Sequence, residues 1–394
     1  MNEQIKIGSI IKQIRGVSYK PTDVREADEE NAVALLRANN IQETGLNFDD
    51  LVYIDRSMVK SEQYLRAGDI LICSSSGSKN LVGKAAYVPE DLPCSFGAFC
   101  KVVRTQTVDS YYLGQYFQSP RYRQEISEAS AGANINNIRN EHIDELTIPA
   151  HSKSEQMEIV QILLCLNKQI DCSKQQLAKL DELVKSRFIE LFGDLHSTIF
   201  PICKMAEICG IKHGYAFSGD FFTEEDNNIL LVTPGNFKVG GGFQEKKCKF
   251  FTGEYSKEYV LNSGDLIVTM TDLSNNMDTL GYSAIVPSTS RVYLHNQRIG
   301  LFVNMSEKIN NVFLMYFMQT NEYRDRIIAS ATGSTVHHTS PSKILDCDVF
   351  VPPIELQNHF AAFVEQTDKS KLAVQQSLEK LETLKKSLMQ QYFG

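Results

Sequence analysis

The chain has 394 residues, 42 % of them hydrophobic and 22 % charged, a balance that excludes wholesale disorder and leaves room for about two to four domains. The formal net charge of −8 argues against a protein coated in nucleic acid, while leaving a local basic patch open. No apolar run approaches the roughly 20 residues that span a bilayer, and residues 1–6 lack the apolar core of a secretory signal. The nine cysteines include no C-x-x-C pair, so they read as reduced, mostly buried thiols of a cytoplasmic protein.

In chain order, residues 69–73 follow a Gly-Asp turn as a compact apolar run and read as a buried strand. Residues 111–127 carry helical spacing, with Tyr112, Tyr116 and Phe117 on one face. Residues 154–192 contain no Pro or Gly and place apolar side chains at helical intervals. Within them Leu177, Leu180, Val184, Phe188 and Leu191 form a heptad-like stripe. The series then starts again. Residues 265–270 form a second buried strand, and residues 312–329 a helix with Phe313, Tyr316 and Phe317. A second long helix follows Pro353, its stripe carried by Leu378, Leu381, Leu384, Leu388 and Tyr392.

The repetition is a duplication. Leu65-Arg66-Ala67-Gly68-Asp69-Ile70-Leu71-Ile72 returns 196 positions later as Leu261-Asn262-Ser263-Gly264-Asp265-Leu266-Ile267-Val268. Leu35, Asn40 and Ile41 answer to Leu231, Asn236 and Phe237; from Gln156 onward the offset settles at 201, so Phe192-Gly193 falls on Phe393-Gly394. The organisation expected is residues 1–150 and 196–353 as two mixed globular domains, each followed by a helix, 151–195 and 354–394. A helix of about 38 residues is about 57 Å long and cannot bury its stripe on one small domain. Its natural partner is its own copy, related by a pseudo-two-fold axis. Spacing alone leaves parallel and antiparallel pairing both open.

Catalytic motifs are missing where decoys appear. Gly77 to Lys84 resembles a phosphate-binding loop, but has five residues between its glycines, and Ala85 replaces the Ser/Thr that would hold magnesium. Glu245-Lys246-Lys247 lacks the preceding Pro-Asp context of a nuclease and reads as a solvated charge run. Val351-Pro352-Pro353-Ile354 lacks the polar first and aromatic last residues of an amino-methyltransferase loop. His337-His338 has no nearby Cys or Asp to complete a metal site. The expectation is a chain with no catalytic centre, no metal and no cofactor of its own. Two similar units at a fixed separation suit a ligand of fixed pitch, which DNA is.

At this point the chain resembles the specificity subunit of type I restriction–modification systems. The resemblance is carried by the two Gly-Asp strands, Leu35 to Ile41, Gly333-Ser334-Thr335, the Ile148-Pro149 and Val351-Pro352 boundaries, Gln156 and Gln357, and Tyr392-Phe393-Gly394. It covers essentially the full length; Gly132-Ala133-Asn134 departs from the usual Gly-Ser-Thr. It implies an α+β fold of tandem target-recognition domains, their long helices forming an antiparallel coiled-coil spacer with pseudo-two-fold symmetry. It also implies a non-catalytic subunit that reads a bipartite, asymmetric double-stranded DNA target. Two methyltransferase subunits using S-adenosylmethionine would dock on it, with restriction subunits using ATP and Mg where present. A helical adaptor with duplicated protein-binding domains is the alternative.

Base edges are read by Arg, Lys, Asn, Gln and hydroxyl side chains. The loops after the Gly-Asp strands offer Ser74, Ser75, Ser76, Ser78, Lys79 and Asn80, and in the copy Thr271, Ser274, Asn275 and Asn276. The loops after Gly132 and Gly333 offer Asn134, Asn136, Asn137 and Arg139, and Thr335, His337, His338, Ser340 and Lys343. Arg37, Asn39 and Asn40, with Thr233 and Asn236, form a third set. On the helices, Lys174, Lys185, Arg187, Lys380, Lys385 and Lys386 are candidates for phosphates or for solvent. The acidic stretches 26–30 and 49–55 are expected to face away from DNA.

Overall fold

Each Gly-Asp pair closes a turn ahead of a buried strand. Gly68 and Gly264 hold φ at +86° and +87°, a left-handed conformation that costs glycine nothing. The aspartate that follows turns back on the loop: Asp69 Oδ2 accepts from Arg66 N at 2.8 Å, and Asp265 Oδ2 from Asn262 N at 2.8 Å. The strands they launch, Ile70–Cys73 and Leu266–Thr269, are buried at every position.

The structure is a computed structural model describing residues 3–42, 45–78, 81–130, 137–196, 198–246 and 248–394. It divides into two units, Met1–Lys174 with Gln375–Gly394, and Gln175–Val374. The boundary crosses both 40-residue helices, Lys153–Phe192 and Ile354–Phe393, so each unit holds one globular part and half of each helix.

The first unit has an antiparallel sheet in the order Ile11–Arg15, Cys100–Thr105, Ile70–Cys73, Ala85–Tyr87. A second sheet runs Ser95–Phe96, Ala32–Leu36, Val52–Asp55, Val24–Arg25, its first pair parallel. The second unit repeats the plan. Its antiparallel sheet runs Gly210–His213, Ile299–Val303, Leu266–Thr269, Ser283–Ile285, and Ile229–Val232 lies parallel to Val292–His295 in its other sheet. The fold is a duplicated α+β architecture.

Each helix expected over 111–127 and 312–329 is two. Ser110–Phe117 stops before Pro120–Ser130, and Asn311–Phe317 before Asn321–Ser330. Pro120 starts a helix easily and cannot continue one, and Ser119 Oγ accepts from Tyr122 N at 3.1 Å to begin the second piece.

A buried glutamine fastens the start of each long helix to its globular part. Gln156 Oε1 accepts from Asp109 N at 3.0 Å while its Nε2 donates to His151 O at 2.8 Å. Gln357 Oε1 accepts from Asn310 N at 2.9 Å and its Nε2 donates to Pro352 O at 2.7 Å. In the first unit Ile159 and Leu163 share a buried cluster with Met389 and Phe393, and Lys174 meets Glu382 at 3.4 Å. In the second, Val184, Phe188 and Phe192 share one with Phe360 and Val364, and Lys371 meets Asp181 at 2.7 Å. Later positions on one helix meet earlier positions on the other, so the pairing is antiparallel.

Of the expected stripe, Val184, Phe188 and Leu378 are buried, and Leu177, Leu180, Leu191, Leu381, Leu388 and Tyr392 are half-buried. Leu384 is a correction: it is 49 % exposed. The inward face of the second helix runs through Leu378, Leu381, Lys385 and Leu388, the alternating spacing of a heptad, and Leu384 lies one residue off it. A lysine stem can lie along such a seam while its head reaches water. The cysteines are free thiols, and Cys73, Cys94, Cys100, Cys209 and Cys347 are buried. Cys165 and Cys172 are exposed on the first long helix, and Cys203 and Cys248 are half-buried. Among the described residues no helix is long and apolar enough to cross a membrane.

Candidate nucleic-acid interface

Two of the three candidate loops are joined, and joined alike, in both units. In the first, the buried strand ends at Cys73, and Ser74 N and Ser75 N both donate to Phe99 O at 2.9 and 3.0 Å. Ile138 N donates to Ser74 O at 2.7 Å, and Ser75 bridges to Asn137. In the second, Met270 N donates to Arg298 O at 2.9 Å and Thr339 N to Met270 O at 3.0 Å. There Thr271 pairs with His338 and Asp272 with His337. One backbone frame therefore carries Ser75 and Asn137 in the first unit, and Thr271 and His338 at the matching places in the second.

The second unit's loop is built around Asp272. Burial raises its carboxyl, but hydrogen bonds from Ser274 N and from the amide and hydroxyl of Thr279 outweigh that and hold its pKa low. Asn275, Asn276 and Thr335 are exposed, and Ser274 and His337 half-buried. Ser340 accepts from Lys343 N at 3.4 Å to start the helix Pro341–Leu345, and Lys343 Nζ donates to Ser330 O. In the first unit Ser78, Asn137 and Arg139 are exposed and Ser76 half-buried. Lys79, Asn80, Asn134 and Asn136 lie outside the described residues, as do Gly132 and Lys247.

Several candidates are structural, which corrects their assignment as readers. Asn40 and Asn236 are 0 % and 1 % exposed. Asn40 Oδ1 accepts from Arg37 N and its Nδ2 donates to Asp49 O, both at 2.8 Å; Asn236 Oδ1 accepts from Thr233 N at 2.9 Å. Thr233 is tied into that same turn through its hydroxyl, which donates to Asn236 Oδ1 at 3.1 Å. Ser74 is buried with its hydroxyl on Phe99 O, and Thr271 is buried with its hydroxyl 3.2 Å from His338 Nδ1. A buried side chain with its polar atoms already bonded has nothing left to offer a base. Arg37 and Asn39 both donate to Asp50 Oδ2, at 2.8 and 3.1 Å. The 49–55 stretch is thus a counter-charge to a candidate set, where a face apart from it was expected.

The structure adds residues that sequence reasoning passed over. A polar cleft of about 470 Å3 in the first unit is lined by Ser75 and Asn137 together with Gln13, Arg15, Lys101 and Asn140. Lys101 sits in the buried strand Cys100–Thr105 and is 7 % exposed. Its ammonium donates to Gln13 Oε1 at 3.1 Å and Asn140 Oδ1 at 2.8 Å, and burial pulls its pKa down to about 8 against the opposing pull of Asp144 and Glu141. A lysine inside an apolar run was the available signal. Beside it Phe99 is 70 % exposed, which no pattern announced.

Of the helix cations, Lys174, Lys385 and Lys386 line a second cleft of the first unit, of about 620 Å3, with Lys84 and Arg123. Burial lowers the pKa of Lys385, with Asp171 opposing. Lys185 and Lys380 are exposed, and Arg187 pairs with Glu190 at 2.7 Å.

The family model described as type I restriction modification DNA specificity domain matches the chain twice, over residues 2–182 and 201–384. The type I restriction enzyme StySPI specificity subunit of Salmonella potsdam is 28 % identical over 98 % of this chain and 87 % of its own length. The EcoKI specificity subunit of Escherichia coli K12 is 37 % identical over 45 % of this chain and 39 % of its own. Among solved structures, the type I restriction-modification S subunit of M. genitalium superposes with a TM-score of 0.58 at 14 % identity, covering 100 % of this chain and 96 % of that one. A chain solved in work on complex assembly and conformational transition of the type I R-M system gives 0.58 at 12 %, over 99 % and 97 %.

Proposed function

The chain belongs to the type I restriction modification DNA specificity family, with two DNA target-recognition domains in tandem, and we propose how it divides that task. Each globular part reads one half of a bipartite, asymmetric DNA sequence, and the paired helices set the gap of unread bases. The observation that carries this is the shared frame with unlike side chains: Ser75 and Asn137 in one unit, His338 and the Asp272 loop in the other. One scaffold with two chemistries reads two different short sequences. Ser75, Ser76, Ser78, Asn137 and Arg139 are the readers proposed for the first unit. Ser274, Asn275, Asn276, Thr335, His337 and His338 are those for the second. Lys174, Lys385 and Lys386 face spacer phosphates.

In this reading the chain performs no chemistry. Two methyltransferase subunits dock on it and carry S-adenosylmethionine, and restriction subunits add ATP and Mg where they are present. Exposed apolar side chains on the long helices support docking: Met157, Leu164 and Leu384 in the first unit, and Leu183, Ile189 and Leu372 in the second.

The test is to sequence modified adenines in cells carrying this chain with its methyltransferase, before and after exchanging residues 1–150 for those of a relative. The expected result is a bipartite motif in which one half alone changes. A motif that changes in both halves, or in neither, overturns the reading. The isolated chain, with its net charge of −8, is expected to bind DNA weakly and to tighten when the methyltransferase subunit is added. Equal affinities by fluorescence anisotropy count against that. Footprinting of the complex excludes the adaptor alternative if a two-part sequence is protected.

A further inference from the structure

Lys101 is in the wrong place for an ordinary phosphate-binding lysine. Its side chain leaves a strand whose neighbours Cys100, Val102 and Val103 are buried, and it lines the first unit's polar cleft. Two neutral amides, Gln13 and Asn140, fix two of the ammonium's three donors. Gln13 is itself held, its Nε2 donating to Asp144 Oδ1 at 2.8 Å and Asn140 O at 3.0 Å. Among the described residues the third donor has no partner and remains for whatever occupies the cleft, which Ser75 and Asn137 also line.

We propose that Lys101 is a specificity-determining residue of the first recognition domain, its framed ammonium donating to a carbonyl acceptor on a base edge, guanine O6 or thymine O4. The proposal rests on the DNA-reading function above and deepens it. A lysine serving a phosphate works as a solvated point charge and gains nothing from burial. A desolvated, oriented ammonium discriminates, because adenine N6 or cytosine N4 would bring a donor against a donor and leave both unpaired. The second unit cannot read this way. By strand register, Ile72 pairs with Lys101, which in turn pairs with Arg15, while the matching Val268 pairs with Gly300, which in turn pairs with His213. A side chain at Gly300 would meet Ile211 Cγ2 at 2.7 Å and Val268 Cγ1 at 3.0 Å. The lysine thus distinguishes the two half-sites at one position.

The experiment is the modified-adenine motif of cells carrying the full chain and its methyltransferase, with wild type, Lys101→Met and Asn140→Leu compared. Methionine keeps the length and removes the charge; leucine leaves the lysine and removes one of its guides. The expected result is a drop of about tenfold or more in preference for guanine or thymine at a single position in Lys101→Met. That position lies in the half-site that moves when residues 1–150 are exchanged, and Asn140→Leu weakens the same position. The other half-site and the gap stay unchanged. An unaltered motif in both variants overturns the proposal. So does an even fall in modification with every base preference kept, the signature of a phosphate contact. Complete loss of modification in Lys101→Met with an unchanged motif in Asn140→Leu also counts against it. Failure of wild type to give any bipartite motif would instead strike the family-level reading.

Discussion

Asn40 and Asn236 occupy equivalent positions in the repeat and do equivalent work, each locking a turn with both ends of its amide. Replacing either by alanine leaves buried backbone groups without partners, at a cost of about 1–3 kcal/mol. Thermal unfolding should show that loss, while the bases preferred in the modified motif stay the same. A sequence offers the residue type and hides the bonds that consume it, which is why polar loop residues overstate the reading surface. Lys101 is the opposite case, legible as a charge among apolar neighbours and still passed over. Its folded pKa of about 8 lies below the 10.5 of a free lysine. Between those values the unfolded chain holds the proton and the folded chain does not, so the lysine's own contribution to stability rises with pH through that window. Burial pushes up the thiols of Cys73, Cys94, Cys100, Cys209 and Cys347, which pull the other way, so the lysine is read as a difference: from about pH 8 to about pH 10 the urea midpoint of the DNA-free Lys101→Met protein should fall relative to that of wild type. Equal slopes would show that the lysine is not desolvated.

At the scale of elements, periodicity revealed both long helices and both Gly-Asp strands, because a repeated pattern over forty residues outweighs local noise. It missed the break at Ser119, where one residue of capping chemistry divides a continuous apolar face. It also put Leu384 on the seam, since leucine is the expected seam residue and Lys385 is not. Lys385→Leu should therefore stabilise the helix pair by about 1 kcal/mol, by placing an apolar side chain where a desolvated ammonium stands. The same change should weaken DNA binding by the complex if the adjoining cleft faces phosphate. The glutamines at the helix starts are less forgiving. Gln357→Leu strands Asn310 N, Pro352 O and Lys308 O, and a loss of about 2 kcal/mol is expected by calorimetry.

For the whole molecule, duplication was visible in the sequence, while pairing direction came only with the family resemblance, because a heptad stripe is blind to direction. The clusters decide it. Phe393 packs on Tyr112 and Tyr116 at ring distances of 5.2 and 6.2 Å, and Arg121 Nη1 donates to its carbonyl at 2.8 Å. Its copy Phe192 packs on Phe313 at 4.9 Å and Phe360 at 5.6 Å. Each helix thus ends in the core of the other repeat's globular part. Phe393→Ala should cost about 3–5 kcal/mol, and hydrogen exchange should place the loss in residues 1–174, remote in sequence from the substitution.

The exchange of helix ends also orders biosynthesis. Residues 1–174 leave the ribosome early, yet their core lacks Met389 and Phe393 until about two hundred further residues have been made. The later-made globular part needs nothing beyond Val374 and can close first. The nascent amino-terminal half must therefore wait with an open apolar face, the period in which chaperones would find it.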